Sequence, residues 1–226
     1  MNGFVLSGGL STRMGRDKAR LELGGRALVE IALGQLRELG LEVRICGSHP
    51  GLSRSDLSRS DLSDFAPVIA DRFTQCGPLG GVEAALHASD AELNLFLPVD
   101  LPRIPASFLR WLMERAESSG AVATVPTIED RPQPLCAVYG RRLRDGLRKS
   151  LESGTYKLIA AIENAAAQLG EPVDLFSVET VAATLPAGTW PLEPRPGIWF
   201  HNVNTPADYE RLRWGESGAN GLHPIS

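Results

Sequence analysis

Cysteine is scarce in this chain, and the little there is lies scattered. Cys46, Cys76 and Cys136 form no C-x-x-C pair, which excludes a zinc ribbon or a disulfide framework and leaves buried, inert thiols. Long hydrophobic runs are missing as well: none approaches the roughly 20 apolar residues of a membrane span. The opening MNGFVLSGG has neither the basic n-region nor the apolar h-region of a secretory signal. No membrane partner is expected, and the expected compartment is the cytoplasm. Positive charge is in deficit, with a formal net charge of -4, so nucleic acid is not expected as a partner.

Against that acidic background one basic stretch stands out. Between Arg13 and Arg20 lie four cations (Arg13, Arg16, Lys18, Arg20) and one anion (Asp17). A short apolar run, Gly3 to Leu6, precedes it and stops at Ser7-Gly8-Gly9, the pattern of a buried strand feeding a glycine loop. Adjacent glycines let the backbone approach a phosphate and turn its N–H groups toward it. Arg13 and Lys18 then supply charge for triphosphate oxygens. Two common phosphate loops fail on spacing. A P-loop requires G-x-x-x-x-G-K-[ST], whereas five residues separate Gly9 from Gly15 and Arg16 follows. The dinucleotide fingerprint G-x-G-x-x-G is absent from the loop.

Strands and helices alternate through the first half. Helices are expected at Arg26 to Gly40, Leu79 to Ser89 and Pro105 to Ser118. Strands are expected at Val43 to Cys46, Pro67 to Ala70, Leu93 to Leu97, Ala121 to Val125 and Leu135 to Tyr139. This alternation predicts an α/β fold, a doubly wound, mostly parallel sheet with helices on both faces. Ligands of such sheets bind beyond the carboxyl ends of the strands. Gly8-Gly9, Asp71 and Asp100 each follow a predicted strand end. Leu52 to Asp64 carries LSRSD twice in tandem and reads as a duplicated surface loop. Pro186 to Gly197 carries four of the sixteen prolines and reads as an extended excursion before a last strand, Ile198 to Val203. Thr205-Pro206-Ala207-Asp208 is a helix start, with Thr as N-cap, Pro at N1 and an acid at N3.

Leu6-Ser-Gly-Gly-Leu-Ser-Thr-Arg-Met-Gly-Arg-Asp-Lys18 closely resembles the signature L-A-G-G-x-S-x-R-M-G-x-D-K of the molybdenum cofactor guanylyltransferases, the MobA family. Ser7 stands where that signature has Ala. Further segments resemble the same family in order: Val68-Ile-Ala-Asp71, Gly77-Pro-Leu-Gly-Gly81, Pro98-Val-Asp100-Leu-Pro102, Arg131-Pro-Gln-Pro-Leu135 and Phe200-His-Asn202-Val-Asn204-Thr-Pro206. The resemblance implies a single Rossmann-like nucleotidyltransferase domain over residues 1–213 and a mobile tail over 214–226. It implies transfer of GMP from GTP to the phosphate of molybdopterin, with Mg²⁺ as cofactor and pyrophosphate as product.

Residue by residue, the resemblance implies that Leu6, Ser7, Gly8 and Gly9 hold the nucleotide through the backbone. Lys18 and Arg13 serve the triphosphate, Asp71 contacts the nucleotide, Asp100 holds Mg²⁺, and Asn202 and Asn204 face the pterin. Blander readings exist for four of them. Asp100 between prolines can be a turn residue, Asp71 before Arg72 a surface ion pair, and the two asparagines a tie for the turn before the last helix. Where the family carries an Asn after the second strand, this chain has Cys46-Gly47-Ser48; that contact is lost, or made by Ser48 or by backbone. Other cofactor-assembly proteins or molybdoenzymes are implied as partners. The competing readings are a cytidylyltransferase, a sugar-phosphate nucleotidyltransferase and a non-catalytic nucleotide-binding subunit. Relatives acting on cytidine tend to open L-A-A-G, so Gly8-Gly9 favours guanine.

Overall fold

A computed structural model of the chain describes residues 1–7, 18–48, 62–73, 75–191 and 195–214. Among these residues the main sheet has eight strands. They are β1 (Asn2–Leu6), β4 (Glu42–Ser48), β5 (Val68–Ala70), β6 (Leu93–Pro98), β7 (Ala123–Ile128), β8 (Arg131–Pro132), β9 (Ala137–Gly140) and β10 (Val173–Ser177), in the order β10-β7-β9-β6-β1-β4-β5 with β8 on β7. Two short strands, β2 (Glu22–Leu23) and β3 (Arg26–Ala27), pair separately as an antiparallel hairpin.

Pairings β1·β4, β1·β6, β4·β5 and β7·β10 are parallel. Only β9 runs against its neighbours β6 and β7, and β8 against β7. The mostly parallel sheet is therefore as expected. Because β9 separates them, β6 and β7 point the same way, and the carboxyl ends of β1, β4, β5, β6, β7 and β10 share one edge.

The helices are α1 (Leu28–Glu38), α2 (Pro78–Ala88), α3 (Ala106–Ser119), α4 (Arg144–Glu152), α5 (Leu158–Leu169), α6 (Val178–Thr184), α7 (Pro196–Trp199) and α8 (Pro206–Trp214). Side chains alternate across a strand, and β1 shows where the cores lie. Val5 faces a cluster with Leu28, Leu33 and Leu36 of α1 and Phe108 and Leu112 of α3. Phe4 and Leu6 face the opposite cluster, with Leu79, Val82 and Leu86 of α2, Leu147 of α4 and Ile162 of α5. Burial on both faces explains why β1 and β6 read as largely apolar stretches rather than alternating ones, with the buried Asn94 of β6 satisfied by the Ala91 and Tyr139 carbonyls.

One element differs in kind from expectation. Ile198 to Val203 is not a strand: Pro196 opens the helical turn α7, and residues 200–204 continue without regular structure. The apolar run Ile198-Trp199-Phe200 serves an aromatic cluster instead. Trp199 and Phe200 pack on Phe108 at centroid distances of 5.7 and 5.6 Å, and Trp190 joins them at 5.3 Å. A short apolar run has no periodicity to separate strand from buried turn, and the Pro at N1 decided it. The first helix is also shorter than expected, because Arg26 and Ala27 belong to the β2–β3 hairpin.

Candidate active site

The carboxyl edge of the sheet is assembled from strand ends. Leu6 closes β1; its carbonyl accepts from Val99 N–H at 3.1 Å, and Ser7 N–H donates to the Cys46 carbonyl at 2.9 Å. The Ser7 hydroxyl donates to that same carbonyl at 3.0 Å. These groups tie the loop entrance to β4 and β6, so any backbone contact from Leu6 and Ser7 to a ligand rests on their remaining groups. The hydroxyl that replaces the family's Ala methyl points into the sheet. Beside it β4 carries a register shift between Cys46 and Ser48, with Gly47 at φ 103°. This kink lies in Cys46-Gly47-Ser48, the stretch that stands where the family carries an Asn. Gly8, Gly9 and Arg13 lie outside the described residues, as do both LSRSD copies and residues 215–226.

At the other end of the loop, Lys18 opens a 3₁₀ turn, Lys18–Arg20, whose buried Ala19 anchors it. The Lys18 ammonium donates to Asp100 Oδ2 at 2.9 Å and to Asn204 Oδ1 at 2.7 Å. Three motifs far apart in sequence therefore meet at one nitrogen. Asp100 reaches this point because β6 ends at Pro98 and Val99 is pinned to Leu6. Asn204 reaches it because Val203 N–H donates to the Asp100 carbonyl at 3.0 Å. The capping box expected at Thr205 is present. Asp208 N–H donates to Thr205 Oγ1 at 3.1 Å, while Asp208 Oδ2 accepts from the backbone of Thr205 at 2.9 Å and of Asn204 at 3.1 Å. The Thr205 side chain, helped by these backbone donors, holds the Asp208 carboxyl below the ordinary carboxylate range.

Lys18 and Asp100 are mostly buried, with side-chain exposures of 14% and 18%. Asp100 Oδ1 is buried and has no hydrogen-bond partner among the described residues. An uncompensated buried carboxylate oxygen is costly and is a place for a cation. Among the described residues no group of three or more His, Cys, Asp or Glu side chains could hold a metal by itself. A lone carboxylate does not suit zinc, which takes three or four protein ligands. It does suit magnesium, which keeps waters and takes its other ligands from substrate phosphates.

Not every expected site residue joins this cluster. Asn202 is exposed. Asp71 follows β5, three strand spacings from β6 in the sheet order, or roughly 14 Å. It stands at the same edge of the sheet, but on the far side of β1 from Asp100. There it lies under α2: Gly81 brings the helix backbone to Asp71 Oδ1, and a Cβ on Gly80 would stand 3.0 Å from the Phe73 carbonyl. Gly80 thus allows the close approach of α2 to the segment after β5, and Gly77 serves a different need, its φ of +60° at the N-cap. Burial, and secondarily the Asp71 carboxylate, raises the Cys46 thiol, which stays protonated and inert.

One pair escaped sequence reading. Arg72 Nη1 contacts Glu83 Oε1 at 3.0 Å, and the Glu83 side chain is only 1% exposed. Burial raises the Glu83 carboxyl, opposed by Arg72. The available signal was an acid set among the apolar residues of Leu79 to Leu86.

Fold and site together have the form of a nucleotidyltransferase: a glycine-rich basic segment follows the central parallel strand β1 in sequence, and an acid follows the neighbouring strand β6. Residues 3–169 match the model of the MobA-like NTP transferase domain, and the chain belongs to that family as a nucleotidyltransferase. A probable molybdenum cofactor guanylyltransferase of Pelotomaculum thermopropionicum is 30% identical over 211 residues, covering 93% of this chain and 91% of the relative. A protein of the same name from Carboxydothermus hydrogenoformans is 30% identical over 208 residues, covering 92% of each. Among solved structures, molybdopterin-guanine dinucleotide biosynthesis protein A from Archaeoglobus fulgidus has a TM-score of 0.70 at 24% identity, over 95% of this chain and 97% of that one. A Mycobacterium tuberculosis protein solved with manganese has a TM-score of 0.56 at 17% identity, over 94% and 97%. Both structures share the fold. No helix among the described residues is long and apolar enough to cross a membrane.

Proposed function

We propose that this enzyme transfers GMP from GTP to the phosphate of molybdopterin, releasing pyrophosphate in a magnesium-dependent reaction. The observation that carries this reading is the meeting of Lys18, Asp100 and Asn204 at one nitrogen. It joins the nucleotide loop, the metal-type acid and the acceptor motif of the family at the sheet's carboxyl edge. The names of the relatives support the choice of guanylyl transfer, and Gly8-Gly9 favours guanine over cytosine.

In this reading the backbone of Leu6 to Gly9 cradles the phosphates, with Lys18 and Arg13 neutralising their oxygens. Asp71 contacts the nucleotide from the far side of the loop, and Asn202 faces the pterin. Magnesium, when bound, supplies charge neutralisation to the triphosphate, and Asp100 Oδ1 would hold it. A pterin phosphate oxygen forms the new bond to the α-phosphorus as the bond to the β-phosphate oxygen breaks. That oxygen is already ionised at neutral pH, so no general base is needed. Positioning and electrostatics are the remaining tasks. The domain spans residues 1–213, works in the cytoplasm, and hands its product to other cofactor-assembly proteins or to molybdoenzymes.

The test is to supply molybdopterin and Mg²⁺ with GTP, CTP or ATP in turn and to measure pyrophosphate. Release with GTP well above the other two is the expected result. Equal or greater release with CTP makes the enzyme a cytidylyltransferase, and no release with any of them sinks the reading.

A further inference from the structure

We infer that Asn204 is a positioning residue for the nucleotide loop, acting through Lys18, rather than a contact to the acceptor. The inference rests on the proposed assignment of Lys18 to the triphosphate. Lys18 carries three N–H donors. Two are committed among the described residues, at 2.9 Å to Asp100 Oδ2 and at 2.7 Å to Asn204 Oδ1. A salt bridge to Asp100 alone would leave a flexible four-carbon chain free to swing about one contact. A second acceptor fixes the ammonium between two points and directs its third donor.

The chemistry of that second acceptor matters. An amide oxygen accepts without adding charge, so the pair Lys18–Asp100 stays neutral and a triphosphate meets no extra repulsion. A carboxylate at the same place would put two negative groups on one lysine. Asn204 is also firmly mounted: its backbone N–H is held by Asp208 Oδ2 at 3.1 Å, within the capping box of α8, and Val203 beside it is held by the Asp100 carbonyl. The side chain therefore reaches Lys18 from a fixed backbone. The exposure of Asn204 means that its replacement spares the core.

The test is the affinity for GTP with Mg²⁺, titrated without any acceptor, in four proteins: Lys18→Ala, Asn204→Ala, Asn204→Asp and the double Lys18→Ala/Asn204→Ala. A lost hydrogen bond to a charged group predicts a Kd about tenfold higher for Asn204→Ala. A larger rise is expected for Asn204→Asp, with thermal unfolding midpoints near that of the parent. The double substitution should bind no more weakly than Lys18→Ala alone, because both changes remove one interaction. In turnover, the KM for GTP should rise in Asn204→Ala while the KM for molybdopterin stays within about twofold. An unchanged GTP Kd in Asn204→Ala, beside a weakened Lys18→Ala, overturns the positioning role and returns Asn204 to the acceptor side. An unchanged Kd in Lys18→Ala overturns the inference together with the triphosphate assignment beneath it.

Discussion

Asp100 shows how one side chain can face two ways. Oδ2 is taken by Lys18, while Oδ1 is buried without a partner among the described residues. Asp100→Asn keeps the shape and removes the charge. Magnesium-dependent pyrophosphate release is expected to fall about a hundredfold, the scale of one lost preorganised electrostatic contact; near-parental release at saturating Mg²⁺ would remove Asp100 from the metal role. Glu83 makes a second case at this scale. Burial holds its carboxyl above the ordinary range, so the ionised form costs stability and Arg72 offsets part of that cost. Arg72→Ala should destabilise by about 1–3 kcal/mol at neutral pH, the cost of a buried group left unpaired. The sign follows from the raised pKa: stability is kept below the ordinary carboxylate range and lost as pH rises through the raised value. Unfolding midpoints measured across that range should therefore fall with pH in Arg72→Ala. Adding Glu83→Gln should flatten the curve, and a flat curve without it would assign the pair no role in stability.

Elements make their demands through close approach. A Cβ on Gly146 in α4 would stand 2.5 Å from the Cβ of Ala165 in α5, so the two helices cross with backbone nearly touching. Gly146→Ala is expected to cost about 1–3 kcal/mol through overpacking, read as a lower unfolding midpoint. An unchanged midpoint would mean that the helices separate freely. Nothing in sequence marked this crossing, because a glycine mid-helix looks the same whether it is tolerated or required. The strands β1, β4, β5 and β6 were legible because each holds a short, largely apolar stretch that stops at a turn residue or an acid: Ser7 after β1, Gly47 in β4, Asp71 after β5 and Asp100 after β6. The start of α8 was legible because a capping box is local chemistry. Ile198 to Val203 was misread because its apolar residues answer to distant aromatics. The β2–β3 hairpin went unseen since each strand has only two residues.

At the scale of the molecule, the candidate site was legible as parts but not as a contact. Lys18, Asp100 and Asn204 were each expected as site residues, and Asp100 at the sheet's edge. That one nitrogen touches the other two depends on how Val99 and Val203 are pinned, which is tertiary information. Asp71 was expected at that same edge and follows β5 there, while the strand order sets it three strands away from Asp100. A ligand bridging such separated segments should stabilise the whole fold. GTP with Mg²⁺ at about 100 times its Kd should add about 2.7 kcal/mol, read as a raised unfolding midpoint, and Lys18→Ala should lose most of that rise. No shift in the parent protein would disconnect the cluster from nucleotide binding.

The Lys18 contacts also set an order of events during synthesis. They span 82 and 186 residues of sequence, and a chain emerges from its N-terminus first. The nascent protein has Lys18 first, Asp100 next and Asn204 last, so the ion pair can form while the second acceptor is still unmade. Lys18 gains Asn204 only after a further 104 residues have followed Asp100. A ribosome-bound chain arrested short of residue 204 would carry the sheet, the loop and the acid, yet lack the contact that completes them.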